Sequence, residues 1–318
     1  MGAKTVTGPE IRRWLKSPAR ARVVMIGVFL FILGLLAVEL FDFLARNGNR
    51  AEFEVKQVGL YERKDMGGHP FRGMSWSGGK LALSDPFHKR ILVNSGNGED
   101  RMVIGGNKYS PSLRGIAGLT FTHEGNIAVI DPGKALLRVF GADGRPLQSL
   151  DLGRKGLHSP SGITWDGAAY VVTDAKSCKV ARIAPNGAVL SSWGGRGSKP
   201  GLFDDPRGIA MGPGGDYYVL DRGNSRVQCL APDGQIAYVF QTPPFPEAVA
   251  YDPTRSILFV SSRNENWTAA YSPVGRSLGV LKIQGEGKGV PGADSLCALP
   301  DGTLAATVGD RILVYDPL

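Results

Sequence analysis

The chain has 318 residues, 37 Lys and Arg against 29 Asp and Glu, a formal net charge of +8 at pH 7 and 42% hydrophobic residues. That length could hold two ordinary domains, so any internal repeat must be sought before a boundary is placed. Its three cysteines, Cys178, Cys229 and Cys297, are odd in number and form no CxxC pair, which argues against a disulfide framework and leaves small buried thiols.

In chain order, residues 1–22 form a basic tail in which Lys4, Arg12, Arg13, Lys16, Arg20 and Arg22 are opposed by Glu10 alone. Residues 23–45 follow as an apolar segment. Val23 to Val38 carries no charge and apolar character resumes past Glu39 and Asp42 to Leu44, about 20 residues in all, enough to cross a bilayer as a helix. The run is longer than a signal-peptide core and its exit, LAVELFDFLARNG, offers no convincing cleavage site. The charge asymmetry predicts a single-pass inner-membrane protein with a cytoplasmic N-terminus and a periplasmic or extracellular remainder. After a linker at 46–51, Glu52 to Leu60 alternates like a strand.

From there the chain repeats. Second strands ending LALSD, IAVID, YVVTD and YYVLD place Asp85, Asp131, Asp174 and Asp221 at spacings of 46, 43 and 47. The turn glycines Gly98, Gly144, Gly187, Gly234 and Gly275 keep the same beat, at 46, 43, 47 and 41. That is the length of a four-stranded propeller blade. The sixth unit, SLCALP, TLAATV and RILVYD, stops after its third strand, so the segment from Glu52 is predicted to supply the fourth and close the ring. Residues 52–318 are therefore expected to fold as one all-β, six-bladed β-propeller, preceded by one transmembrane helix.

The stretch FDDPRGIAMGPGGDYYVLDRGNSRVQCLAPDGQIAYVF, Phe203 to Phe240, resembles an NHL repeat, most closely at Asp221 to Val227. The likeness extends over 71–318 and weakens in the last two units, where Ser261 or Ser262 and then Val308 stand at the repeat Asp position. It implies the architecture and leaves function open, because such propellers serve as enzymes, sensors and binding platforms.

Within the first strands, Met74/Trp76, Leu119/Phe121, Ile163/Trp165, Ile209/Met211, Val249/Tyr251 and Leu296/Ala298 are expected to pack between blades. The repeat Asp residues are expected to cap turns, with Arg90, Lys179 and Arg226, five positions on, as turn neighbours and as candidate contacts on a basic face. Amidating lyases, which this chain resembles in general shape, carry histidines at the start of several first strands for zinc. The aligned residues here are Arg72, Ala117, Ser161, Arg207, Glu247 and Asp294, which does not support zinc lyase chemistry. Glu247 and Asp294 keep a weak calcium site open, while His69, His158 and Asp204, at equivalent loop places, form a second, lesser candidate. Loops joining fourth to first and second to third strands are rich in bases and the opposite turns in acids, a field suited to orienting an acidic protein partner or an anionic polymer.

These features lean toward a non-catalytic, membrane-anchored propeller that binds or stabilises other proteins of a periplasmic-side complex through its faces and its transmembrane helix. No cofactor and no nucleic acid are expected. The alternative is a metal-dependent hydrolase or lyase at the axial mouth, with Arg72, Arg207, Glu247 and Asp294 as its contacts.

Overall fold

The computed structural model describes residues 52–62, 70–95, 101–105, 113, 115–283 and 288–317. The basic tail, the apolar segment and the linker, residues 1–51, lie outside the described residues, as does His69; among the described residues no helix is long and apolar enough to cross a membrane.

The propeller is built from β1 (Glu52–Glu62) and six units. Blade one holds β2 (Met74–Ser77), β3 (Lys80–Asp85), β4 (Arg90–Ser95) and β5 (Arg101–Gly105); blade two holds β6 (Leu119–Phe121), β7 (Ile127–Asp131), β8 (Leu136–Phe140) and β9 (Pro146–Asp151). Blade three runs through β10 (Pro160–Trp165), β11 (Tyr170–Asp174), β12 (Lys179–Ile183) and β13 (Val189–Gly194), and blade four through β14 (Pro206–Met211), β15 (Tyr217–Asp221), β16 (Arg226–Leu230) and β17 (Ile236–Gln241). Blade five comprises β18 (Ala248–Asp252), β19 (Ile257–Ser262), β20 (Trp267–Tyr271) and β21 (Ser277–Ile283); blade six supplies β22 (Ser295–Ala298), β23 (Leu304–Val308) and β24 (Arg311–Pro317).

β1 completes blade six, antiparallel to β24 from Val55 opposite Pro317 to Glu62 opposite Arg311. Its first residues also pair with blade five, parallel to β21 from Glu52 opposite Val280 to Val55 opposite Ile283. Blades five and six consequently share one eight-stranded sheet, a join that the repeat pattern does not reveal.

Each second strand is sandwiched between neighbouring blades, which is why β7, β11 and β15 are buried at every position and read as unbroken apolar runs. One hydrophobic cluster fills each gap between blades. Leu83 and Leu92 of blade one meet Ala305, Ile312 and Val314 of blade six, so the ring is closed by packing as well as by β1. Burial of each such aliphatic side chain contributes about 1.5–3 kcal/mol. The first-strand residues pack as expected except Met211, which is 39% exposed where β14 ends.

The repeat Asp residues are fully buried turn caps. Asp85 accepts from the His88 amide at 3.1 Å and from Arg90 Nε at 2.8 Å. Asp174 accepts from the amides of Ser159 at 2.6 Å and Ser177 at 2.7 Å, tying the loop that enters the blade to the turn inside it. In blade five the ladder places Ser262, not Ser261, at this position, since Ser262 opposes Trp267 as Asp221 opposes Arg226. Its hydroxyl accepts from the Glu265 amide at 3.3 Å. Blade six turns from Val308 directly to Arg311 through Gly309 at φ 63°, leaving no longer turn to cap.

On the opposite side, Asp166 latches blade three to blade four: Arg182 Nε donates to it at 2.6 Å and Tyr217 Oη at 2.9 Å. Burial alone would raise its pKa, but Arg182, the amides of Ala168 and Ala169 and the Tyr217 hydroxyl outweigh that and hold it below the ordinary value. Burial and the bond to Asp166 push Tyr217 up to about 12. A lowered carboxyl stabilises the fold above its unfolded pKa, and that contribution disappears as pH falls through the folded value. A raised phenol stabilises below about pH 10 and the contribution is lost between there and about 12. Melting curves of Tyr217→Phe should therefore show a flatter alkaline limb than wild type, and those of Asp166→Asn a flatter limb below pH 4; parallel curves would contradict the latch.

Candidate functional site

The six first strands begin around a central cavity of about 460 Å³ that opens on the face carrying the second-to-third strand turns. All six aligned residues line it: Arg72, Ala117, Ser161, Arg207, Glu247 and Asp294. In four blades the next residue is glycine, for a packing reason. A Cβ on Gly73 would lie 2.7 Å from the Ala117 carbonyl oxygen and one on Gly208 2.9 Å from that of Glu247, so only glycine lets adjacent first strands approach this closely.

The cavity wall is unequal. Blades two and three contribute Ala117, Pro132, Pro160 and Ser161, and Ser161 Oγ is turned away to the Pro206 carbonyl at 2.9 Å. Blades four, five, six and one carry the charge. Asp205 accepts from Arg222 Nη1 at 2.9 Å and forms an ion pair with Arg207, whose Nε lies 2.9 Å away without hydrogen-bond geometry; Arg222 Nε lies 3.4 Å from Glu247 Oε1 and its guanidinium sits 5.1 Å over the Phe245 ring. Arg263 Nη1 binds Asp294 Oδ1 at 2.9 Å. Burial pushes the Asp294 pKa up, against the opposing fields of Arg263, Arg72 and the Gly309 amide. Arg222, Asp205 and Arg263 were not among the candidates picked from the sequence, which gave no signal to separate Arg222 from Arg226 four residues later.

Arg90, Lys179 and Arg226 lie away from this cavity. Arg90 serves the Asp85 cap. Arg226 is buried, with Nε on Asp221 at 2.7 Å and its other nitrogens on the carbonyls of Ser198, Lys199 and Leu202 at 2.6–3.0 Å. As a contact for an outside partner it is therefore spent, because its donors already hold the 195–202 loop. Lys179 is exposed on the mouth face, and no ion pair joins it to Asp174 across the turn among the described residues. Of the lesser metal candidate, His158 is exposed and Asp204 is bound by Arg196 Nη1 at 2.7 Å. Among the described residues no group of three His, Cys, Asp or Glu is placed to hold a metal ion.

The structure also sorts the charges of the two faces. Most acids of the mouth face are engaged: Asp85, Asp174 and Asp221 cap turns, and Asp204, Asp205, Glu247 and Asp294 are each bound by arginine, while Asp151 and Glu265 are exposed. Its lysines, Lys89, Lys134, Lys176, Lys179 and Lys199, are exposed, as are Phe87 and Phe245. The opposite face exposes Glu124, Asp143, Asp233 and Asp301.

The NHL repeat matches residues 203–230, from the approach to β14 through β16. The fourth blade is an NHL repeat. In it, the Asp221, Asn224, Arg226 and Gln228 network is most complete, which explains why the NHL signature is strongest there. No curated protein matches the sequence. Solved structures resembling this propeller include a streptogramin B lyase, 12% identical, with 81% of this chain and 96% of that one covered and a TM-score of 0.61. Another is a putative gluconolactonase, 19% identical, covering 82% and 93% at a TM-score of 0.60. A third comes from a nidogen/laminin complex, 18% identical, covering 71% and 84% at 0.55. At these identities the likeness shows the six-bladed fold, and it joins enzymes to a binding partner within one architecture.

Proposed function

We propose that this protein is a non-catalytic propeller that binds an acidic protein partner through its lysine-rich mouth face, held at a membrane by its apolar N-terminal segment. The observation that carries this reading is the sorting of charge: on the mouth face most carboxylates are taken up by turns and arginines, leaving Asp151 and Glu265 exposed among five exposed lysines and two exposed phenylalanines. A positive rim around aromatic side chains suits recognition of an acidic surface and speeds encounter at low salt. The apolar segment ends at Leu44 and β1 starts at Glu52, a connection whose reach is roughly 25 Å at most. A partner in the same membrane assembly, on the periplasmic side, is the natural candidate. The structure of a nidogen/laminin complex gives precedent for this architecture in a protein–protein assembly.

The competing reading, a metal-dependent hydrolase or lyase, would need Glu247 and Asp294 for a cation. Both are engaged by guanidinium groups, which repel the ion that such a site would hold.

Extraction of the native protein in mild detergent should recover a stoichiometric complex that dissociates as salt rises from about 0.05 to 0.5 M. Joint reversal of Lys89, Lys176 and Lys179 to Glu should weaken it more than tenfold, and reversal of Asp143, Asp233 and Asp301 to Lys should leave it intact. A complex indifferent to the first set, or lost with the second, would refute the assignment of the face. One bound equivalent of calcium or zinc, with a rise in melting temperature, would favour the hydrolase or lyase instead.

A further inference from the structure

The axial cavity holds polar atoms that the fold itself does not satisfy. Arg207 Nε, Arg222 Nε and Asp294 Oδ2 are all buried without a well-formed hydrogen bond, although each group has an ion-pair partner nearby. The Asp294 side chain is 2% exposed. Arg72 is exposed at the rim, and no hydrogen bond or ion pair engages its guanidinium among the described residues. Such atoms cost stability unless something supplies the missing bond, and here they converge on one cavity from blades four, six and one.

We propose that the axial cavity is a binding site for a small carboxylate that also bears a hydrogen-bond donor, as hydroxy- and amino-carboxylates do. The carboxylate accepts hydrogen bonds from the arginines, and the hydroxyl or ammonium group donates one to Asp294 Oδ2. Three observations select this class. Guanidinium groups match planar oxyanions through paired N–H donors. Arg72, Arg207, Arg222 and Arg263 face Asp205, Glu247 and Asp294, leaving one surplus positive charge, which suits a single carboxylate group better than a doubly charged phosphate. Arg72 and Asp294 line the same cavity from the neighbouring blades one and six, so the anion and donor subsites lie side by side. A cavity of about 460 Å³ has room for such a molecule.

The ionisation of Asp294 fits a subsite for a hydrogen-bond donor. A carboxyl whose folded pKa is raised contributes stability below its unfolded pKa and forfeits it as pH rises, so at neutral pH the charged side chain burdens the propeller. A donor from the ligand removes that burden.

Titration calorimetry on the full-length protein in detergent tests this with L-lactate, L-serine and D-gluconate as bifunctional probes. Acetate, methylammonium and inorganic phosphate serve as single-group controls. At least one bifunctional probe should bind with a Kd below about 1 mM, and about tenfold or more tighter than acetate or methylammonium. Arg72→Ala and Asp294→Asn should each weaken that binding about tenfold or more, while Asp294→Asn alone should raise the melting temperature of the unliganded protein, which separates loss of a subsite from loss of fold. The proposal is overturned if none of the three probes binds with a Kd below about 1 mM, if phosphate binds tighter than all of them, or if Asp294→Asn leaves the affinity unchanged. Reversal of Lys89, Lys176 and Lys179 should not disturb this binding, so failure of the lysine-face reading and failure of the cavity reading are distinguishable.

Discussion

Deleting residues 1–62 should abolish the cooperative melt of the propeller, whereas deleting residues 1–50 should leave its melting temperature within a few degrees of wild type. The first deletion removes β1 and with it the ladder to β24 over 311–317 and the parallel ladder to β21 over 280–283. At about 0.5–1.5 kcal/mol per backbone hydrogen bond, these ladders contribute a sum comparable with the whole stability of an ordinary domain, about 5–15 kcal/mol. The loss also exposes β24, whose Ile312 and Val314 pack against blade one, as an unpaired edge prone to association. Circular dichroism during heating, with light scattering, reads both effects. Appending the Glu52–Glu62 sequence after Leu318 through a short turn should restore a cooperative transition to the longer deletion. A sharp unaltered melt for the deletion would show that packing between blades closes the ring without β1.

Asp221→Ala should be the most damaging point substitution in the described blades. Its carboxylate accepts from the Asp204 amide at 2.7 Å, Asn224 Nδ2 at 2.9–3.0 Å, Arg226 Nε at 2.7 Å and Gln228 Nε2 at 3.0 Å. Taking it away strands the Arg226 guanidinium, 7% exposed, in the interior. Breaking such a buried pair costs about 3–5 kcal/mol, and in a domain of this size about 10 °C in melting temperature is expected. Because Arg226 also fastens the carbonyls of Ser198, Lys199 and Leu202, the loop carrying Arg196 should become sensitive to trypsin at the same time. Asp143→Ala, at a surface turn, provides the control and should change stability by no more than about 0.5 kcal/mol. Equal effects of the two substitutions would show that the repeat Asp does not hold its turn.

The number and order of blades are legible in the sequence, because Asp85, Asp131, Asp174 and Asp221 mark a structural need that recurs: the carboxylate at the strand end binds donors around the turn, such as the amides of His88 and Ser177, the Arg138 guanidinium and the Asn224 side chain. The closing strand was legible for a similar reason, since the sixth unit ends one strand short. The six mouth positions followed from the same register. What those positions do to one another did not. Arg222 and Arg226 stand four residues apart in one turn, yet one reaches the axis over Phe245 and the other is buried within its blade. That choice is made by the ladder, which sets Arg226 opposite Asp221, and by the loop that folds over it. The pairing of β1 with β21 was equally hidden, because it depends on how two blades splay and no residue in either strand announces it.

The strand that closes the ring imposes an order in time. β1 is the first part of the propeller to leave the ribosome, yet its two partners, β21 and β24, lie near the other end of the chain. Throughout synthesis its backbone groups have no native ladder to join, and the early blades must stack with the ring still open. Closure then requires a loop of nearly the whole domain, which makes the final step slow and leaves the open form vulnerable to association with other copies. A chain of this design gains from helpers that shield a waiting strand, and its yield should depend on the rate of the last joining step more than on the stability of the finished propeller.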